Sequence, residues 1–421
     1  MLQPVYVGAQ SVASHRASAG ADAVRLLREL ASPLRGLRVL HINATPYGGG
    51  VAEMLRSEVP LLRDLGIAAD WKLITGDRRF FDVTKRLHNG MQGAIVGLAS
   101  RERDEYLGHT RRTVEAGIDD DYDVIVVHDP QPLPLRAIHG GGGATRWVWR
   151  CHIDTSQPDA DVWAFVRPFV EAYDAAVFTM REFVPAGLTV PMLRIVPPAI
   201  DPLSPKNTEL GRRLAVRVLR WIGVDTTRPL VTQVSRFDRW KDPLGVLAAF
   251  RLVRRQVPEL QLALVGSMAL DDPEGWRVYR ELQREARAER AVHLFTNLTG
   301  VGNIEVNAFQ RLSHVIVQKS VREGFGLVVS EALWKGTPVV AGRAGGIPLQ
   351  MPAGTGGVLV DSVEACAEAM GRLLDDPSEA RALGDQGREV VRERFLITRL
   401  LADELRLYRA LVDGPLIHPT R

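Results

Sequence analysis

HVIVQKSVREGFGLVVSEALWKGTPVVAG, residues 314–342, carries the pattern on which the fold is read. An apolar run of strand length (314–318) leads into a glycine-marked turn, a stretch of helical pattern, and a second strand-length run (337–342). Working outward, the same alternation recurs. The second half adds PLVTQVS (229–235), LQLALVG (260–266) and AVHLF (291–295), with helical patterns filling most of the gaps. The first half is less regular: GLRVLHIN (36–43), YDVIVVHD (122–129), RWVWRCHI (146–153), AAVFTM (175–180) and MLRIV (192–196), with helix-like segments near 50–65, 101–117 and 159–173. Strand and helix in alternation predict an α/β protein whose parallel sheets are covered by helices on both faces.

Between the halves lies PPAIDPLSP (197–205), where four prolines in nine residues block helix and central strand alike. It reads as the one linker between two doubly wound, Rossmann-like domains, residues 1–198 and 199–396, with a helical stretch near 397–413 rejoining the first. Two such domains are expected to turn the carboxyl ends of their strands toward a central cleft, where open α/β sheets bind ligands. A length of 421 residues, at roughly 150 per domain, suits this arrangement.

Composition excludes several classes. Hydrophobic residues at 46% and charged residues at 24% describe an ordinary globular protein, not a disordered, collagenous or coiled-coil chain. The formal charge of +3 is spread along the sequence, so neither nucleic acid nor a membrane surface is an expected partner. Cys151 and Cys366 stand far apart and outside any Cys-x-x-Cys pattern, which excludes a disulfide framework and a cysteine-based zinc site and fits a reducing cytosol. No run of 18 apolar residues occurs, and MLQPVYVGAQ lacks the basic and apolar regions of a signal peptide, so a soluble, cytoplasmic protein is expected. Only 6 of the 53 Lys and Arg residues are lysine, so a lysine that remains is expected to have a task of its own. Oligomeric state stays open, a homodimer included.

Three segments carry candidate chemistry. In HINATPYGGGVAEM (41–54), Gly48, Gly49 and Gly50 follow a predicted strand and precede a predicted helix, where bare backbone N–H groups can approach a phosphate or sugar at the positive helix end. The spacing is not the G-x-G-x-x-G of dinucleotide binders, and a tight strand-to-helix turn would use the same glycines. In VSRFDRWKD (234–242), Arg236 and Lys241 follow a strand, with Lys241 at the start of a predicted helix. An Arg fork with a Lys point charge suits a pyrophosphate, although basic residues also flank helices for solubility. In residues 320–342, Glu323 precedes Gly324, Phe325 and Gly326, whose amides open a helix, and Glu331 lies eight residues on. Two carboxylates there suit the hydroxyls of a sugar and a ribose while the amides face phosphate; the alternatives are ordinary capping and a solvated Glu331. Asp129 in VVHDPQP, and His152 with Asp154 in RCHIDTS, complete the set at strand ends. Asp119 with Asp121, and Asp159 with Asp161, match the bare Asp-x-Asp pattern of metal-dependent transferases, but one precedes its strand and the other opens a helix, so neither is taken as a metal site.

Together these motifs resemble the retaining glycosyltransferases of GT-B fold, family 4, over almost the whole chain. HINATPYGGGVAE, FFDVTKRLHNGMQG, VVHDPQP, WRCHIDTS, SRFDRWKD, ALDDPEGW and VNAFQR are similar to the trehalose synthases of glycosyltransferring type, with fungal-type trehalose phosphorylases as near relatives. The resemblance implies transfer of glucose from a nucleoside diphosphate glucose, such as UDP-glucose or ADP-glucose, to free glucose, giving α,α-trehalose, in a reaction that can run both ways. It implies that Arg236 and Lys241 hold the donor diphosphate, that Glu323 and His152 lie by the donor sugar, and that Glu331 binds the ribose. Gly49, Gly50, Leu298, Gly324, Phe325, Gly326 and Leu327 belong with the donor, and Asn43, Gly48, Asp129 and Asp154 with the acceptor side in the first domain. No tightly bound cofactor is implied, and no protein site for Mg2+ is evident. A trehalose phosphorylase using the same two cations for inorganic phosphate, another family 4 transferase, and a non-catalytic hinge-closing binder are the alternatives.

Overall fold

A computed structural model describes residues 2–118, 121–140, 143–268 and 273–414. Asp119, Gly141, Gly142 and the Ala269, Leu270, Asp271 and Asp272 part of ALDDPEGW therefore lie outside the described residues. The chain forms two compact units, one ending at Pro198 and resuming at Ile397, the other Ala199–Leu396. It thus passes between them twice, at 198/199 and again at 396/397, and not through the proline-rich segment alone. In the second unit Ile200 bridges Leu396, with Ile200 N donating to Phe395 O at 2.8 Å. In the first unit Arg399 Nη2 donates to the carbonyls of Pro197 (2.7 Å) and Pro198 (2.9 Å). Prolines bring no N–H, but their carbonyls still need donors, and Arg399 supplies them.

The first unit is built on strands β1 (Leu2–Pro4), β2 (Arg38–Asn43), β3 (Ala68–Ile74), β4 (Val124–His128), β5 (Arg146–Cys151), β6 (Ala175–Phe178) and β7 (Met192–Ile195), in the order β1-β3-β2-β4-β5-β6-β7. Every pair is parallel except β1 with β3, which is antiparallel and departs from the all-parallel expectation. β4 and β5 are buried at every residue, which requires their near-continuous apolar runs, because helices cover both faces. One face packs Ile125, Val127, Trp147 and Trp149 against Phe80, Leu87, Tyr106, Val162 and Val166 from the helices Arg78–Met91, Ser100–Glu115 and Ala160–Glu171. The helix Ile397–Asp413 packs on the helices Ala21–Ala31 and Gly50–Asp64.

The second unit has β8 (Leu230–Val234), β9 (Gln261–Gly266), β10 (Val292–Thr296), β11 (Val315–Gln318), β12 (Val339–Gly342) and β13 (Gly357–Val360), all parallel, in the order β10-β9-β8-β11-β12-β13. Counted within the unit, this is 3-2-1-4-5-6, the dinucleotide-binding order, whose direction reverses between β8 and β11. Side chains of β9 alternate between two cores: Leu262 and Leu264 join Phe250, Leu282 and Met370, while Ala263 and Val265 join Leu219, Val306 and Phe309. The period of two along a strand, with helices on both faces, produces this division. Among the described residues no helix is long and apolar enough to cross a membrane.

Candidate active site

The reversal between β8 and β11 is where an open α/β sheet leaves a crevice outside its strand ends, and the second unit places Arg236, Lys241 and Glu323 on the two loops that leave these strands. After β8 the chain enters a single 3-10 turn, Arg239–Lys241, begun by Asp238 accepting from Trp240 N at 2.9 Å. Lys241 therefore sits in this turn, ahead of the helix Pro243–Arg254 and not on it. Asp242, in left-handed conformation at φ 47°, caps that helix by accepting from Gly245 N at 3.0 Å and pairs with Lys319 from the end of β11. Val321 N donates to Trp240 O at 2.8 Å, which joins the two loops, and Gln233 Nε2 donates to Lys241 O at 2.7 Å, which ties the first loop back to β8.

Lys241 Nζ meets Glu323 Oε2 at 2.5 Å, and the same oxygen accepts from Ser320 Oγ at 3.1 Å. Arg236 is looser: its side chain is 42% exposed, with Asp238 Oδ2 no nearer than 3.8 Å. Two cations, Arg236 and Lys241, are matched by two carboxylates, Asp238 and Glu323, but Arg236 is loosely held and Glu323 lies against Gly326 at the start of the helix Leu327–Trp334, whose bare amides suit an anion. Gly326, at φ 80°, caps this helix in the left-handed region that favours glycine. Phe325 O accepts from Gln350 Nε2 at 2.5 Å, and Gln350 is itself fixed by Ser330 Oγ at 2.6 Å. A trans peptide points its N–H opposite its C=O, so this grip aims Gly326 N–H away from Gln350. The Phe325 ring lies in the core against Phe395, leaving only its backbone for a ligand. Leu298 stands 59% exposed on the turn after β10.

Glu331 lies in the second turn of the same helix and is 1% exposed, so it is not a solvated surface residue. Its Oε1 is 3.4 Å from Lys206 Nζ and its Oε2 accepts from Gln310 Nε2 at 2.9 Å. Lys335 donates to Asn207 Oδ1 (2.8 Å) and to the Glu331 carbonyl (3.0 Å), and burial pushes its ammonium down to about 7.

In the first unit the glycine loop joins β2 to the helix Gly50–Asp64. Gly48, at φ 77°, is required by the turn; Gly49 is extended, and a Cβ on it would meet nothing within 4 Å. A tight turn therefore explains Gly48, while neither packing nor conformation requires glycine at position 49. Asp129 is held at φ 62°, its Oδ1 accepting from His152 N at 2.8 Å, and burial pushes its carboxyl up to about 7. Asp129 and His152 are thus brought together. Asn43 and Asp154 are occupied in turns instead: Asn43 accepts from Trp71 Nε1 and donates to Thr45 O, both at 2.7 Å, and Asp154 Oδ1 takes Ser156 N at 3.0 Å and Ser156 Oγ at 2.6 Å. Asp159 caps its helix by accepting from Val162 N at 3.0 Å. Among the described residues no three His, Cys, Asp or Glu side chains gather as a metal site needs.

Sequence reasoning missed the residues behind these groups. His41 and His128 form a row with His152, because β2, β4 and β5 are neighbours and each carries a histidine near its carboxyl end. Glu58, Arg150 and Glu404 lie beside that row. In the second unit Ser320, Gln350, Lys206 and Gln310 hold the carboxylates and the glycine turn; scarcity of lysine was the one available signal, and only for Lys206.

Residues 41–185 match the family model described as the N-terminal domain of trehalose synthase, and residues 220–390 match that of group 1 glycosyl transferases. The chain is 52% identical to the trehalose synthase of Rubrobacter xylanophilus over 98% of its own length and 100% of that protein's. It is 43% identical to the trehalose synthase of Thermococcus litoralis, over 92% and 94% respectively. Among solved structures it resembles the sucrose-phosphate synthase of Thermosynechococcus elongatus with a TM-score of 0.71, covering 90% of this chain and 100% of that one at 20% identity, a likeness of GT-B fold alone. Identity above half over the full length, joined to two matched models, means that the chain belongs to the trehalose synthase family and is a glycosyl-transferring enzyme.

Proposed function

We propose that the protein transfers glucose from a nucleoside diphosphate glucose to free glucose, forming α,α-trehalose with retention at the anomeric carbon. What carries this reading is the Lys241–Glu323 pair, with Arg236 on the same loop as Lys241, at the reversal of a 3-2-1-4-5-6 sheet, in a chain of this family. Breaking the bond between sugar and diphosphate builds positive charge on the sugar and negative charge on the leaving group. Cations fixed in place beforehand stabilise that separation without reorganising. Lys241, already positioned by Glu323, and the Arg236 fork serve the departing diphosphate, with the N–H groups of Gly326 and Leu327 behind them. Glu323 and His152 take hydroxyls of the transferred sugar. Glu331 takes the ribose, for which Lys206 must move away from Oε1.

In this reading the acceptor hydroxyl oxygen bonds to the anomeric carbon on the face the diphosphate leaves, the carbon–diphosphate bond breaks, and the hydroxyl proton passes to a diphosphate oxygen. The test is incubation of the pure protein with UDP-glucose or ADP-glucose and glucose. A non-reducing disaccharide and an equal amount of nucleoside diphosphate are expected. A disaccharide cleaved only with inorganic phosphate would make the protein a phosphorylase, and no disaccharide from any nucleotide glucose would overturn the reading.

A further inference from the structure

Behind His152 runs a row of buried side chains that the reaction above leaves unused. His152 Nε2 lies 2.9 Å from His128 Nδ1, His128 Nε2 lies 3.1 Å from His41 Nδ1, and His41 Nε2 lies 3.5 Å from Glu58 Oε1. The rings stack with centroids 5.2 Å and 5.4 Å apart. His152 is part-exposed, whereas His41, His128 and Glu58 are at most 1% exposed.

Such a row has a direction. A neutral imidazole carries one donor and one acceptor nitrogen, so each ring's donation dictates the next. Glu58 sets the first step. Its charged neighbours are Glu404 and the Arg150 to which Glu404 is ion-paired, all three being buried. One guanidinium balances one carboxylate, and a second buried charge would stand uncompensated. Glu404 is therefore the ionised partner, and Glu58 keeps its proton and donates it to Glu404. The other oxygen, Glu58 Oε1, is an acceptor 3.5 Å from His41 Nε2, and among the described residues neither atom has a hydrogen-bond partner elsewhere, so each is open to the other. His41 then donates through Nε2 and accepts at Nδ1 from His128 Nε2–H, and His128 accepts at Nδ1 from His152 Nε2–H. The lone pair left over is on His152 Nδ1.

We propose that Glu58, His41 and His128 are positioning residues that lock His152 as a neutral Nε2–H tautomer, so that it meets the transferred sugar as a hydrogen-bond acceptor and not as a donor or a cation. The titratable and charged groups around the row agree. Burial and then Arg150 hold His41 down at about 3 and His152 well below the usual histidine range; burial, the flanking histidines and Arg150 do the same for His128. Burial and Glu404 hold Glu58 well up. Tyr408 faces the Glu404 side, with burial raising its phenol, and Asp129 is engaged with the His152 backbone.

The consequence for turnover rests on the glucosyl-transfer reading; the tautomer does not. Nitrogen NMR of the protein labelled with 15N-histidine reads each ring directly. Three Nε2–H rings that do not titrate over about pH 6 to 8 are expected. Glu58→Gln keeps this spectrum, since its amide still donates to Glu404 and its carbonyl still accepts from His41, whereas Glu58→Leu returns His152 to mixed tautomers. His128→Phe lowers kcat by about tenfold to a hundredfold, by analogy with loss of partners that orient a functional histidine, while KM moves less than about threefold. An Nδ1–H tautomer at His152 in the unaltered protein overturns the proposal without any variant, as does a His152 signal indifferent to Glu58→Leu. The expected spectra with no disaccharide from any nucleotide glucose would leave the tautomer lock standing and remove the reaction.

Discussion

Lysine is rare here, and all four lysines of the second unit sit on site loops or their supports: Lys206 on Glu331, Lys241 on Glu323, Lys319 on Asp242 and Lys335 on Asn207. An ammonium is a point charge that fits one carboxylate oxygen, where a guanidinium fork needs room for two contacts. Lys241→Ala is expected to lower turnover about a hundred- to a thousandfold, the loss typical of a missing charge stabiliser, and Lys241→Arg to restore little of it, as steady-state kinetics will show. The carboxylates should separate: Glu323→Gln lowers kcat more than donor affinity, while Glu331→Gln raises the donor KM and also costs about 1–3 kcal/mol in urea unfolding, because it leaves buried partners unsatisfied. Asp129 gives a pH signature. Burial raises its carboxyl to about 7, so between about 4 and 7 the folded state binds the proton that the unfolded state has lost, and stability falls as pH rises through this window. Asp129→Asn keeps the acceptor for His152 N and tolerates φ 62°, so it should flatten this fall, with the gain over wild type larger at pH 8 than at pH 5 in thermal unfolding.

At the scale of elements, the loop after β8 is shaped by one residue. Asp242 ends a 3-10 turn, adopts φ 47°, caps the next helix and pairs with Lys319. Asp242→Ala loses the cap, about 1 kcal/mol, and places a methyl group in the left-handed region, about 1–2 kcal/mol more. Asp242→Asn retains both features and gives up only the ion pair, so chemical denaturation should find it closer to wild type. If the alanine variant were equally stable, the cap would not be what orders this turn. Gln350 acts in the same way on the turn after β11, since its side chain orients the peptide between Phe325 and Gly326.

For the molecule as a whole, the first unit is completed only when the chain returns at Ile397. The helix Ile397–Asp413 packs on two helices of this unit and delivers Glu404 to Arg150 on β5, 254 residues earlier. Arg150→Met strands a buried carboxylate and should cost about 3–5 kcal/mol, whereas the double variant Arg150→Met, Glu404→Gln, which removes the charge and keeps an acceptor for Glu58, should recover a large part of that loss in equilibrium unfolding. A double variant as unstable as the single one would show that the pair is not balancing charge.

Element type and the principal site motifs were legible in the sequence, because apolar period, glycine placement and a retained lysine are local properties of a few neighbouring residues. β8, β9 and β11 announced themselves as apolar runs because helices cover both of their faces. β3 did not, since Asp70 and Lys72 alternate along it beside the short edge strand β1. Glu323, Arg236 and Lys241 could be read as candidates, but the pairing of Lys241 with Glu323 depends on β8 lying beside β11, which no spacing encodes. The row from His152 to Glu58, and the Arg150–Glu404 pair that orients it, was decided by tertiary structure alone. Strand order brings β2, β4 and β5 together, and burial then forbids a second uncompensated charge. Adjacency across a sheet and exclusion of water are collective properties of the folded chain, absent from any single segment.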